Sequence, residues 1–318
     1  MKWKVMVSAP YMLLEIDKFR DWFTQNDIDI DIPDVKERME ETDLLPIIAR
    51  YDGVICGDDR FTEKVYKAAE RLKVISKWGT GIDSIHKDIA EKYGVAVYNT
   101  PDAFSHPLSD TILGYMLCFS RTIISSDRLM KSGKWEKIRG KTLSEQTLGI
   151  IGCGNVGSRV AKKANAFGMR ILAYDIKEIP KPIIEQYGIE QTDLDTLLKE
   201  SDFISANCDL NDTSYHILSG DAFNKMKPTA VVINTARGAV VDEASLIEAL
   251  ENGKIAGCAL DVYEYEPLAE DSPLRSMDNV ILSSHNSNSS PKYWERVHMN
   301  TLSNLLKGLN EYGEINNG

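Results

Sequence analysis

Residues 147–175 read "TLGIIGCGNVGSRVAKKANAFGMRILAYD". An apolar run stops at Gly152, and Gly152, Gly154 and Gly157 spell G-x-G-x-x-G at the opening of an amphipathic stretch. A second apolar run follows and ends on Asp175. Strand, tight turn, helix and strand in that order describe one βαβ unit. The first glycine permits the turn, the second lets the backbone approach a pyrophosphate, and the third lets the helix lie close on the strand. Amides near Asn155 and Val156 then sit at a helix N-terminus, where the helix dipole favours phosphate. Asp175 is placed to bind both hydroxyls of an adenosine ribose. A carboxylate there repels a 2′-phosphate, so the cofactor read from this stretch is NAD in preference to NADP, with nearby Lys177 softening the preference. The competing reading is a glycine-rich turn followed by a chance acidic strand end.

Outward from this unit the same rhythm continues. "WKVMVSA", "DGVICG", "KVISKWG" and "VAVYNT" precede it, and "FISANC", "AVVINTA", "GCALDV" and "NVILSS" follow. Helical patterns lie between them, including 62–72, 157–167, 193–199 and 242–252. Continuous apolar strands alternating with helices mean parallel sheets covered on both faces, an α/β doubly wound architecture. The chain of 318 residues, 43% hydrophobic, exceeds what one core usually organises. Two domains are expected, a flavodoxin-like substrate domain and a Rossmann NAD-binding domain, with a cleft between them. One long helix over 105–131 separates the strand clusters, and a final helix near 291–309 returns to the first. The boundaries read as 1–98 with 287–318 for the substrate domain and 99–286 for the cofactor domain.

Net charge is −11, which argues against nucleic acid as a partner. No apolar run approaches the ~20 residues of a membrane span, and "MKWKVMVSAPYML" turns polar too early for a signal peptide. The five cysteines, 56, 118, 153, 208 and 258, form no C-x-x-C pair. They read as reduced core residues of a cytoplasmic protein, and no metal is expected.

Three strand ends in the second cluster carry chemistry: Arg237 after "AVVINTA", Asp261 and Glu266 in "GCALDVYEYEP", and His285 after "NVILSS". In open parallel sheets ligands bind at the carboxyl ends of strands, so these residues converge on the nicotinamide end of a bound cofactor. A guanidinium holds a carboxylate through paired hydrogen bonds and polarises the adjacent carbonyl. A protonated imidazole donates a proton as hydride arrives, and a carboxylate on its far nitrogen fixes the tautomer. Together the three suit reduction of a 2-oxo acid. Each also has a plainer reading: Arg237 as a capping or ion-pairing residue, Glu266 as a turn acid before Pro267, His285 as a loop residue.

The chain resembles the D-isomer-specific 2-hydroxyacid dehydrogenases nearly end to end. The likeness rests on "ISKWGTGIDSI", "NTPDAFSHPLSDTILGYMLCFSR" and "SGKWEKIRGKTLSEQTLGIIGCGNVG". Most specific is "MKPTAVVINTARGAVVDEASLIEALENGKIAGCALDVYEYEPL". The resemblance implies that Arg237 binds substrate, Glu266 partners the imidazole and His285 is the acid/base. It implies that Asp261 meets the nicotinamide carboxamide, that Cys208, Thr235, Ala236 and Ser287 line the cofactor, and that the backbone of Trp78, Gly79, Thr80 and Gly81 cradles the substrate carboxylate. It further implies pairing of two copies through the cofactor domain, a homodimer. A non-catalytic NAD(H)-sensing interaction protein is the alternative on the same fold.

Departures from the family pattern point to the substrate. Ser287 and Asn288 stand where two glycines are usual, and Asp102, Phe104 and His106 precede the long helix where small residues or Asn are common. Arg60 and Tyr11, each following a strand of the first cluster, are candidates for meeting the substrate, Arg60 through a second anionic group on it.

Overall fold

Runs such as "GVIC", "FISA", "VVIN" and "GCAL" hold no polar face to turn toward water, and all four are buried along their whole length. That is the signature of strands inside parallel sheets. The computed structural model describes residues 2–315. In it β1 (Trp3–Val7), β2 (Ile28–Asp31), β3 (Gly53–Cys56), β4 (Val74–Lys77) and β5 (Ala96–Tyr98) form a sheet in the order β2-β1-β3-β4-β5. A second sheet holds β6 (Thr147–Ile151), β7 (Arg170–Tyr174), β8 (Ile189–Gln191), β9 (Phe203–Ala206), β10 (Val231–Asn234), β11 (Gly257–Leu260) and β12 (Val280–Leu282), in the order β12-β11-β10-β9-β6-β7-β8. Adjacent strands in both are parallel. The first order is flavodoxin-like and the second is a doubly wound Rossmann order, so the expected fold class is what the chain adopts.

The chain divides into two units, Met1–Ala103 with Ser290–Gly318, and Phe104–Ser289. Both junctions fall a few residues later than 98/99 and 286/287. Asn99 and Thr100 stay with the first unit because the Thr100 amide donates to Gly79 O at 2.8 Å and Asn99 Nδ2 to Thr80 O at 2.5 Å. Asn286 and Ser287 stay with the second because Asp261 accepts both of their amides. Residue 1 and residues 316–318 of the expected first domain lie outside the described residues.

In the first unit the helix Pro291–Ile315 lies on β3, β4 and β5. It comes close because Gly308 sits against Val74, where an added Cβ would lie 2.4 Å from Val74 Cγ2. In the second unit two apolar clusters cover the opposite faces of the seven-stranded sheet, one around Leu246, Phe223 and Ile204, the other around Ile112, Val160 and Ile150.

The single helix expected over 105–131 is two, Ser105–Ser120 and Ile123–Lys131. Thr122 breaks it with a left-handed φ of 52°. The Ser120 carbonyl, which a continuing helix would use, accepts instead from the Lys141 amide at 2.9 Å. Two strands, β2 and β8, escaped the sequence reading. Both are edge strands with acidic or amide side chains ("IDID", "IEQ"), the composition that edges tolerate and cores do not.

Candidate active site

Within the second unit the strand order reverses between β6 and β9, and there the crevice of a doubly wound sheet opens. Gly152 follows β6 at φ 86°, and a Cβ on it would strike the Cys208 amide nitrogen at 2.7 Å. Gly157 faces the Gly152 carbonyl so closely that a Cβ would lie 2.1 Å from the oxygen. Gly154, between them, is different: nothing lies within 4 Å of its missing Cβ. Two glycines are therefore required by the turn itself, and the third keeps open the space at the start of the helix Asn155–Ala166. Asp175 reaches into this turn, accepting from the Cys153 amide at 2.8 Å and the Lys177 amide at 2.9 Å. Thr235, at the end of β10, is buried with Oγ1 unpartnered among the described residues. An open glycine at a helix N-terminus, a carboxylate at the next strand end and an orphaned buried hydroxyl fit a dinucleotide. Cys153 and Cys208, whose thiols burial pushes up to about 11, line the turn as neutral groups.

The strand ends β10, β11 and β12 bring Arg237, Asp261, Glu266 and His285 into this same unit. His285 Nδ1 lies 3.0 Å from Glu266 Oε2, and the other Glu266 oxygen accepts the Tyr263 amide at 3.1 Å. The imidazole is thus oriented by a carboxylate that is itself held. His285 has a left-handed φ of 52°, which costs a non-glycine residue about 1–2 kcal/mol. Asp261 offsets that cost. Its backbone carbonyl accepts the His285 amide at 2.8 Å, and its buried carboxylate accepts the Asn286 and Ser287 amides at 2.8 and 2.9 Å. Hydrogen bonds to a charged group are worth about 1.5–3 kcal/mol each, enough to hold the turn.

This anchoring by Asp261 was not legible in the sequence, because it joins residues on two different strand ends. Tyr115 was missed as well. Its pKa is raised chiefly by burial, and in sequence it reads as one more apolar helix position. Arg237 donates from Nη1 to the Ala236 carbonyl at 2.9 Å, and Ala236 in turn has its amide on Asn234 Oδ1 at 3.0 Å.

In the first unit the Trp78 amide donates to Cys56 O at 2.9 Å, prolonging the β3–β4 ladder by one residue. Its indole Nε1–H donates to His298 Nδ1 at 3.0 Å. Beyond it, the amides of Gly79, Thr80 and Gly81 meet no acceptor among the described residues, and Gly79 has a φ of 114°. Tyr11 stacks on Trp78 with centroids 4.7 Å apart and lies 5.2 Å from the Trp294 ring. Arg60 gives its amide to Met39 O at 2.9 Å.

Comparison with known proteins accords with this geometry. The family described as D-isomer specific 2-hydroxyacid dehydrogenase, NAD binding domain, matches residues 113–287. A hydroxypyruvate reductase of Thermotoga maritima is 36% identical over 313 residues, 97% of this chain and 99% of that protein. A D-3-phosphoglycerate dehydrogenase of Archaeoglobus fulgidus is 35% identical over 98% of this chain, which spans 59% of that longer protein. Among solved structures, a D-lactate dehydrogenase of Aquifex aeolicus complexed with NAD and lactic acid superposes with a TM-score of 0.83 at 27% identity, covering 94% of this chain and 93% of that one.

Proposed function

The chain belongs to the D-isomer specific 2-hydroxyacid dehydrogenase family, and on that premise we propose which residues carry its reaction. It is an NAD-dependent oxidoreductase, and the reaction interconverts a 2-oxo acid and a 2-hydroxy acid of D configuration. Bound NADH supplies the hydride. Gly154, Asn155 and Val156 hold the pyrophosphate by their amides, Asp175 the adenosine ribose, and Thr235, Ala236, Cys208, Asp261 and Ser287 line the nicotinamide half. Arg237 binds the substrate carboxylate and polarises the carbonyl beside it. His285 gives the carbonyl oxygen a proton from Nε2, and Glu266 on Nδ1 stabilises the ring in its protonated state. In the reverse direction the same imidazole accepts the hydroxyl proton. From the first unit, the backbone of Trp78, Gly79, Thr80 and Gly81 serves the substrate carboxylate, and Tyr11 and Arg60 meet the substrate, Arg60 through a second anionic group on it.

The observation that carries the reading is the 3.0 Å His285–Glu266 contact on a turn anchored by Asp261, in the unit that also holds the open glycine turn. A homodimer is part of the proposal. Ile123, Met130, Trp135 and Ile138 expose 50%, 53%, 81% and 40% of their surfaces along one segment of the cofactor unit, more apolar area than solvent favours. The cytoplasm is the proposed setting, supported by five free cysteines. No helix among the described residues is long and apolar enough to cross a membrane. The test is NADH oxidation with glyoxylate, hydroxypyruvate and pyruvate in turn. Turnover with one or more, lowered by about 10³-fold in His285→Gln, is expected; tight NADH binding with no turnover of any would favour the sensor alternative.

A further inference from the structure

A second histidine–carboxylate pair lies in the same unit as the proposed catalytic residues. His216, in the segment after β9 and at a left-handed φ of 51°, places Nε2 2.5 Å from Glu264 Oε1, so the ring donates and the carboxylate accepts. The other Glu264 oxygen accepts the Glu243 amide at 3.2 Å, and the Glu264 amide donates to Glu243 Oε2 at 3.3 Å. Tyr215 stacks on the imidazole with centroids 4.0 Å apart. The His216 and Glu264 side chains retain 27% and 20% of their exposure, so their attraction is only partly screened.

What the pair joins gives it meaning. His216 donates its amide to Ala239 O at 2.9 Å, Leu218 donates to Val240 O at 3.1 Å, and Asp242 returns a bond to Leu218 O at 3.0 Å. The His216 segment is therefore fastened to the residues that directly follow Arg237. Glu264 stands two residues before Glu266, in the turn whose Tyr263 amide holds the Glu266 carboxylate. The Arg237 loop and this turn also meet where a Cβ on Gly238 would lie 1.8 Å from the Tyr263 carbonyl oxygen. With the two Glu243–Glu264 bonds, that approach sets the distance between loop and turn, and the His216 bond holds the other Glu264 oxygen.

We propose that His216 and Glu264 are a positioning pair that locks the turn bearing Glu266 to the loop bearing Arg237, and through Glu266 sets the His285 ring. This rests on the catalytic roles proposed above. Its weight comes from geometry, because displacing a reacting group by about 1 Å costs on the order of a hundredfold in rate.

The experiment uses the full chain with NADH and hydroxypyruvate, comparing His216→Ala, Glu264→Ala and the conservative His216→Gln, whose amide N–H still reaches Glu264. Hydrogen exchange of the 262–266 turn is measured alongside and needs no substrate. The alanine variants are expected to exchange about tenfold faster in that turn and to lose about tenfold in kcat, with NADH affinity within about twofold and much of both losses recovered in His216→Gln. Unchanged exchange overturns the lock, and faster exchange with unchanged kcat overturns its part in catalysis. Should an alanine variant unfold, Glu264→Gln decides: it keeps the shape and weakens the bond, and an unchanged exchange rate and kcat overturn the proposal. Failure of the catalytic reading itself looks different, since Arg237→Gln and Glu266→Gln would then keep wild-type kcat.

Discussion

His285 and His298 stand thirteen positions apart in the sequence, each beside an aromatic or a carboxylate partner, and the fold uses them in opposite ways. His285 leaves a strand end on left-handed backbone, keeps part of its ring surface open and has Glu266 on Nδ1 at 3.0 Å. His298 lies inside the helix Pro291–Ile315, fully buried, and its Nδ1 accepts from the Trp78 indole. Its nearest carboxylate, Glu15, is 3.6 Å from Nε2, beyond hydrogen-bond reach. Burial is the chief influence on it and lowers its pKa, against a smaller upward pull from Glu15. A carboxylate in contact suits a ring that must take up a proton, whereas burial with an N–H donor suits one that stays neutral. Residue type therefore says little about role, and the partner on Nδ1 says most.

The comparison breaks most sharply at His285. Replacing it with Gln removes the transferable proton and is expected to lower kcat by about 10³-fold while leaving the unfolding midpoint near wild type. Equal loss of stability and activity would make it a structural histidine after all. Asp261→Ala comes next. It frees the Asn286 and Ser287 amides and relaxes the His285 turn, so kcat should drop by about a hundredfold, with His285 still present. A retained rate would mean that the left-handed turn holds itself.

On the His298 side the effect is thermodynamic. His298→Phe removes the acceptor that the Trp78 indole N–H uses at 3.0 Å, and urea unfolding should show a loss of about 1–3 kcal/mol. NADH affinity, measured by fluorescence quenching, should not change. The smallest effect is a pH dependence. Because the folded ring resists protonation, the unfolded chain binds a proton below about pH 6.5 that the folded chain does not. The stabilisation from neutral His298 is thus full above that pH and declines as pH falls below it, down to the lowered pKa of the folded state. Urea midpoints at about pH 7.5 and about pH 5.5 should differ less in His298→Gln than in wild type, and an equal difference would assign the dependence to other groups.

Much of this was legible before any coordinates. The apolar runs that became β3, β9, β10 and β11 could be read because burial on both faces leaves no choice of side chain. Gly152, Gly154 and Gly157 could be read because their spacing between an apolar run and a helical stretch is itself a local pattern. The break at Thr122 could not, since the competing acceptor for the Ser120 carbonyl is the Lys141 amide, supplied from beyond the second helix. The resemblance places the backbone of Trp78 in an anion cradle, but that its amide donates to Cys56 O could not be read, because the acceptor lies on the adjacent strand.

By itself the sequence determined the strand and helix alternation, the glycine turn and the presence of an arginine, a glutamate and a histidine at successive strand ends, because these depend on periodicity and on sterics within a few residues. Only the tertiary structure decided that Asp261 clamps the turn of His285 and that His216 meets Glu264. Each of those is a hydrogen bond between segments far apart in the chain, and its existence depends on which strands become neighbours.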